Sequence, residues 1–108
     1  MNAKSAQKRI AFGYNRGPTN QIELNVGQAN VVKLIFAWYL EGKSLSQITG
    51  MLEGIGVPTA QNKRKWGRQA LANILSNQHY TGHDTVYPPL VSLVDFERVQ
   101  TIKQTRNN

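Results

Sequence analysis

One stretch, "QANVVKLIFAWYLE" at residues 28–41, constrains what this chain can fold into more than any other. Ala29, Val32, Ile35, Phe36 and Tyr39 recur at helical spacing, with Asn25 as a start signal and Gly42 as a stop. Val31, Leu34 and Trp38 lie off that stripe, so the helix is apolar over more than half its circumference. Such a helix must be covered on two sides. Burial, rather than a partner site, is the reading of Trp38.

The segments that could supply the cover are short. "IAFGYNRGPTNQIELN" has two extended runs around a Gly-Pro-Thr-Asn cluster and reads as a hairpin or a pair of irregular strands, with Phe12 and Tyr14 turned to the core. Ser44 caps a second helix, on which Leu45, Ile48, Leu52 and Ile55 face one way and Ser46, Gln47, Thr49 and Glu53 the other. Gly54 or Gly56 and then Pro58 end it. A third helix starts near Gly67 and runs to about Ser76. After a short extended run at residues 85–87 and Pro88-Pro89, a final helix begins at Ser92, with Asp95 completing a capping box and Phe96, Val99 and Ile102 facing inward. The expected fold class is α+β, mainly α: a helix-turn-helix-like pair plus short strands or a hairpin.

At 108 residues, 40% hydrophobic and 18% charged, the chain fits one small domain. The expected organisation is a tail or linker at residues 1–9, a domain at 10–104 and a frayed end at 105–108. The absence of cysteine excludes a disulfide framework and a thiolate zinc site. His79 and His83 stand four apart, but the intervening "YTG" argues against a helix that would aim both at a metal, so no metal or other cofactor is expected. Lys33 and Glu41 interrupt the apolar run, and "MNAKSAQKRI" offers no export signal, so a cytoplasmic protein with no membrane partner is expected.

The net charge is +7, and it is unevenly placed. Lys4, Lys8, Arg9 and Arg16 occur without an acid among residues 1–20, and Lys63, Arg64, Lys65 and Arg68 occur without an acid between Glu53 and Asp84. Two basic zones on one small domain fit a polyanion partner, because each Lys or Arg that meets a phosphate releases a condensed counterion. The competing reading is a basic surface kept for solubility.

The third helix favours the first reading. Ala70, Leu71, Ile74 and Leu75 fall on one half of its wheel, and Arg68, Gln69, Ala72, Asn73 and Ser76 on the other. Arg68 suits guanine acceptors, Gln69 or Asn73 suits adenine, and Ala72 suits a thymine methyl; Ser76 closes the same face. Lys63, Arg64 and Lys65 precede the helix, where a phosphate backbone passes if the helix enters a major groove, and Arg9 and Arg16 are further candidate phosphate contacts. Trp66 joins the basic loop to the core. The connection at about 55–66 is longer than the ~3–4 residues of a tight helix-turn-helix. An ordinary amphipathic helix in a basic protein shows a similar face. No serine has an activating neighbour, Asp84, Asp95 and Glu97 form no acid–base pair, and the phosphate-cradling glycine spacings are absent.

"FGY" at 12–14, "VVKLIFAWYLEGKSLSQITGMLEGIGVPT" from Val31, Trp66, "ANILSNQHYTG" from Ala72 and "PPLVSLVDFERVQ" from Pro88, in this order and spacing, resemble the recombinase domain of large serine recombinases. The resemblance covers residues 10–104. It implies a module that binds attachment-site duplex DNA beside the crossover, bacterial or phage-encoded and nucleoid-associated. The nucleophilic serine would lie in a preceding resolvase-type domain and a zinc ribbon and coiled coil would follow; no stretch here matches either, so a non-catalytic and monomeric module is expected. Ala11 stands where the family often has proline, and Gly67 where a hydroxyl N-cap is common. The rival to DNA binding is an interaction module for recombinase assembly or directionality control, docking through Trp38, Tyr39 and the hairpin.

Overall fold

The computed structural model describes residues 10–83 and 85–106. Two short strands come first, β1 (Tyr14–Arg16) and β2 (Ile22–Leu24). They are followed by α1 (Val26–Leu40), α2 (Leu45–Gly54), α3 (Arg68–Leu75), a 3₁₀ helix (Gln78–Thr81) and α4 (Leu93–Arg106). β1 and β2 form an antiparallel hairpin with Tyr14 opposite Leu24 and Arg16 opposite Ile22. The architecture is α+β and mainly helical.

α1 is the centre. Ala29, Val32, Ile35, Phe36 and Tyr39 are all buried, and the helix packs against β1, α2, α3 and α4. Val31 and Trp38 are half-buried against the same core, but Leu34, the third apolar residue off the stripe, is 39% exposed, so the cover expected on two sides is incomplete. Its start is fixed by side chains: the Asn25 Oδ1 accepts from the Gln28 N–H at 3.1 Å, and the Gln28 Oε1 reaches back to accept from the Gly13 N–H at 2.9 Å. Gly13 adopts φ +111°, and a Cβ there would meet Leu90 at 3.1 Å and Val32 at 3.3 Å, so the hairpin crosses α1 where only glycine fits. At the other end of α1, Arg106 donates to the carbonyls of Gly42 at 2.7 Å and Lys43 at 2.9 Å and lies 4.7 Å from the Tyr39 ring centroid.

α2 begins with a reciprocal capping box: the Ser44 hydroxyl accepts from the Gln47 N–H, and the Gln47 side chain accepts from the Ser44 N–H at 2.8 Å. Ile48 and Leu52 are fully buried. Ile55 is not, at 62% exposed, because the helix stops at Gly54 and Ile55 belongs to the turn that leaves it. α4 starts at Ser92 as expected, the Ser92 hydroxyl accepting from the Asp95 N–H at 3.1 Å, but Asp95 does not complete the expected capping box: its carboxylate turns to Arg98 at 3.9 Å. α4 includes Thr105 and Arg106, and Arg106 is anchored on the end of α1.

Residues 85–87 form bends, not a strand. Thr85 sits at φ 61°, outside the extended region. What the sequence leaves as a plain connection is the 3₁₀ helix. Asn77 caps it, accepting from the His79 N–H at 3.0 Å, and it places Tyr80 in the middle of the molecule.

Tyr80 is 1% exposed. Its ring stacks on Tyr14 at 5.9 Å and meets the Phe36 ring edge-on at 6.1 Å. Its hydroxyl donates to the Phe12 carbonyl at 2.7 Å, and its own carbonyl accepts from the N–H groups of Leu90 at 2.7 Å and Val91 at 3.0 Å. Burial, with smaller contributions from the phenols of Tyr14 and Tyr87, pushes the hydroxyl above its ordinary value and keeps it neutral.

Tyr80→Phe leaves the Phe12 carbonyl without its donor and is expected to destabilise the chain by about 1–3 kcal/mol at neutral pH in urea denaturation. In the wild type the unfolded chain ionises this phenol above about pH 10 and the folded chain resists. That contribution to stability is therefore complete below the ordinary tyrosine value and lost as pH rises past it. The difference between wild type and Tyr80→Phe should consequently narrow above about pH 10; a constant difference would contradict a neutral buried phenol.

Candidate nucleic-acid interface

α2 and α3 pack on one another, and the loop at 55–67 between them is tied down at both ends. At its start, Gly56 takes φ +80° and the Val57 N–H bonds the Leu52 carbonyl at 3.0 Å, closing α2 with a left-handed glycine. At its finish, Trp66 is 5% exposed. Its indole N–H donates to the Val57 carbonyl at 2.8 Å and its backbone N–H to the Glu53 carboxylate at 2.7 Å, while its ring meets Phe12 edge-on at 5.5 Å. Trp66 is the packing anchor its sequence position suggests.

Between these ties the backbone forms a closed turn. Thr59 N–H bonds the Lys63 carbonyl at 2.8 Å, Asn62 N–H bonds the Thr59 carbonyl at 2.9 Å, and the Thr59 hydroxyl accepts from the Lys63 N–H at 3.1 Å. Lys63, Arg64 and Lys65 leave this turn exposed. Glu53 shares their hollow, with one carboxylate oxygen engaged by Trp66.

α3 follows at once. Leu71, Ile74 and Leu75 are buried, whereas Arg68, Gln69, Asn73 and Ser76 lie on the other side with Ala72; Arg68, Gln69 and Ser76 are exposed, and Ala72 is half-buried. The Gln69 amide N–H donates to the Asn73 Oδ1 at 2.9 Å, which orders the two amides one turn apart and leaves the Gln69 oxygen and the Asn73 NH₂ with capacity to spare. The N-cap is Gly67, and no side chain bonds the first turn.

Beside α3 lies a concave surface lined by Lys63, Lys65, Asn73 and Asn77, with Ile10 and Tyr87 also on its wall. Arg16 does not line this hollow. It stands on β1, donating to the Asn20 carbonyl at 3.1 Å, and lines an adjoining hollow that shares Ile10 and Tyr87 with the first. Arg9 lies outside the described residues.

Three contributors carry no local sign in the sequence. Glu53 sits on the hydrophilic side of α2, yet it fixes the far end of the loop. Gln100 donates to the Leu75 carbonyl at 2.7 Å, and Lys103 bonds the Ser76 hydroxyl; both reach the end of α3 from α4. His79 and His83 stack with ring centroids 6.0 Å apart, and His79 stacks on Tyr87 at 4.4 Å. Among the described residues no group of three or more His, Cys, Asp or Glu is placed to hold a metal ion, and no helix is long and apolar enough to cross a membrane. Of the rival docking surface, Tyr39 is buried at 3% exposure and Trp38 is half-buried.

Two solved structures share this fold. One, described as concerning the sequence requirements of the Listeria innocua prophage attP site, superposes with a TM-score of 0.71 at 24% identity and covers 90% of this chain and 43% of its own. The other, described as a crystal structure of an LSR–DNA complex, superposes with a TM-score of 0.70 at 23% identity and covers 90% of this chain and 32% of its own. This chain therefore spans less than half the length of either. No curated protein matches it. The sequence pattern of the Recombinase family matches residues 27–106, a span that runs from the first turn of α1 to the last residue of α4 and takes in the loop and α3; the chain belongs to that family.

Proposed function

We propose that this chain is the DNA-binding module of a site-specific serine recombinase of the integrase, transposase or invertase type, and that it recognises attachment-site duplex DNA next to the crossover. The observation that carries this reading is the continuity of one surface. A rigidly tied basic turn, with Lys63, Arg64 and Lys65, leads directly into the outward face of α3, with Arg68, Gln69, Ala72, Asn73 and Ser76. Cations on the approach and amides on the helix divide the work as duplex readers do: phosphate contacts position, and base-edge contacts specify. One structure of similar fold is described as an LSR–DNA complex, which supports DNA as the partner here.

The chemistry of strand exchange, in which a serine hydroxyl attacks a DNA phosphate and forms a covalent phosphoserine link, belongs in this reading to a separate catalytic domain of the parent protein. The contribution of this chain is to hold one DNA segment in register. Arg16 and Arg9 are assigned to the flanking phosphates. No residue here is assigned a catalytic role.

Two variants separate the parts. Replacing Lys63, Arg64 and Lys65 with Gln should weaken binding to all duplexes alike and reduce the slope of log K against log salt by about 0.9 for each phosphate no longer neutralised. Arg68→Ala with Gln69→Ala should cost about 1–3 kcal/mol of base discrimination for each bidentate pair removed, measured on duplexes selected from a random library by the wild type, with little change in the salt slope. If both variants bind selected and random duplexes as the wild type does, α3 and its loop are not the interface. Self-association without salt-dependent DNA binding, seen by sedimentation, would instead favour a protein-interaction module.

A further inference from the structure

The outward face of α3 ends at Ser76, and there the fold brings in a cation from far along the chain. The Lys103 ammonium on α4 bonds the Ser76 hydroxyl. One turn earlier on the same side of α4, Gln100 bonds the carbonyls of Leu75 at 2.7 Å and Phe96 at 3.3 Å, so α4 is pinned to the end of α3 and Lys103 is carried with it. The partner of the ammonium is a neutral hydroxyl, which leaves its charge intact. The position next to the last carbonyls of α3 suits a cation. The acid at the start of α4, Asp95, is engaged with Arg98.

α3 therefore has cations at both ends: Lys63, Arg64 and Lys65 where the chain enters it and Lys103 where it stops. The helix has 8 residues and at about 1.5 Å per residue is about 12 Å long, with the two sets of cations beyond its ends. The major groove of B-DNA is also about 12 Å wide. A helix of that length laid across the groove, with cations at both ends, brings one set of them to each phosphate backbone.

We propose that Lys103, positioned by Ser76 and Gln100, grips a phosphate on the DNA strand opposite the one met by the basic turn, so that α3 is clamped between the two backbones. The clamp rests on the reading of α3 as the DNA-facing helix and adds to it a residue that the basic zones of the sequence do not mark. It also changes the part played by Ser76. Its hydroxyl aims Lys103 rather than reading a base edge.

The test is salt-titrated binding of mixed-sequence duplex DNA by the 108-residue chain and by its Lys103→Gln, Lys103→Arg and Ser76→Ala variants. Lys103→Gln should lower the magnitude of the salt slope by about 0.9, the value of one neutralised phosphate, and do so on every duplex. Lys103→Arg keeps the charge and should retain the wild-type slope. Ser76→Ala should weaken binding in the same sequence-independent way and leave base preference unchanged. Circular dichroism of each variant checks that the fold is kept. A wild-type slope that Lys103→Gln leaves unchanged overturns the clamp alone, as does a reduced slope shared by Lys103→Arg. A wild type without salt-dependent DNA binding overturns the clamp together with the reading on which it rests.

Discussion

The buried Tyr80 is the point at which otherwise separate parts of the chain become one body. A 3₁₀ helix of four residues has little stability of its own, yet it carries the residue whose hydroxyl donates to the Phe12 carbonyl and whose backbone carbonyl accepts from the N–H groups of Leu90 and Val91. Its ring fills the space between Tyr14 and Phe36. Hairpin, central helix and the approach to α4 thus share a single partner. A neutral hydroxyl with a matched carbonyl satisfies both polar groups in a place where water does not reach.

From that frame the surface proposed to face DNA is built by division between rigid support and exposed charge. Trp66 and Glu53 fix the end of the loop through one buried ring and two hydrogen bonds, and neither presents itself to a partner as a phosphate or base reader. The side chains that do face outward make few bonds within the chain, apart from the Gln69–Asn73 and Ser76–Lys103 pairs. Loop backbone and side-chain heads therefore have different tasks. Substitutions among Lys63, Arg64 and Lys65 leave the turn that presents them in place, because that turn is closed by Thr59 and by backbone groups.

Much of this was legible in the sequence because helices announce themselves by period. Every apolar residue assigned to the buried stripe of α1 is buried, and Ser44, Asn25 and Gly67 stand at the helix starts that their positions imply. Periodicity failed where a short segment depends on distant partners. Residues 85–87 include the β-branched Thr85 and Val86 and the aromatic Tyr87, a composition that favours a strand, but among the described residues no strand pairs with them and Thr85 turns the backbone to positive φ. The outward face of α3 was visible in the helical period of its own residues. Lys103 and Gln100 were not, since their meeting with α3 depends on how α4 crosses it, a matter of tertiary packing that no local window contains.

The shortness of α3 has a consequence beyond recognition. A helix of 8 residues is too brief to persist in water without tertiary support, so the surface assigned to DNA exists only while Leu71, Ile74 and Leu75 remain seated in the core. Occupancy of DNA and integrity of the core are then one linked equilibrium. A genetic screen that scores only weakened binding would return core positions around Tyr80 and α1 alongside the exposed cations. The two classes would be told apart without DNA: core variants unfold at lower denaturant, whereas the charge variants keep the wild-type stability and lose only the salt-dependent part of binding.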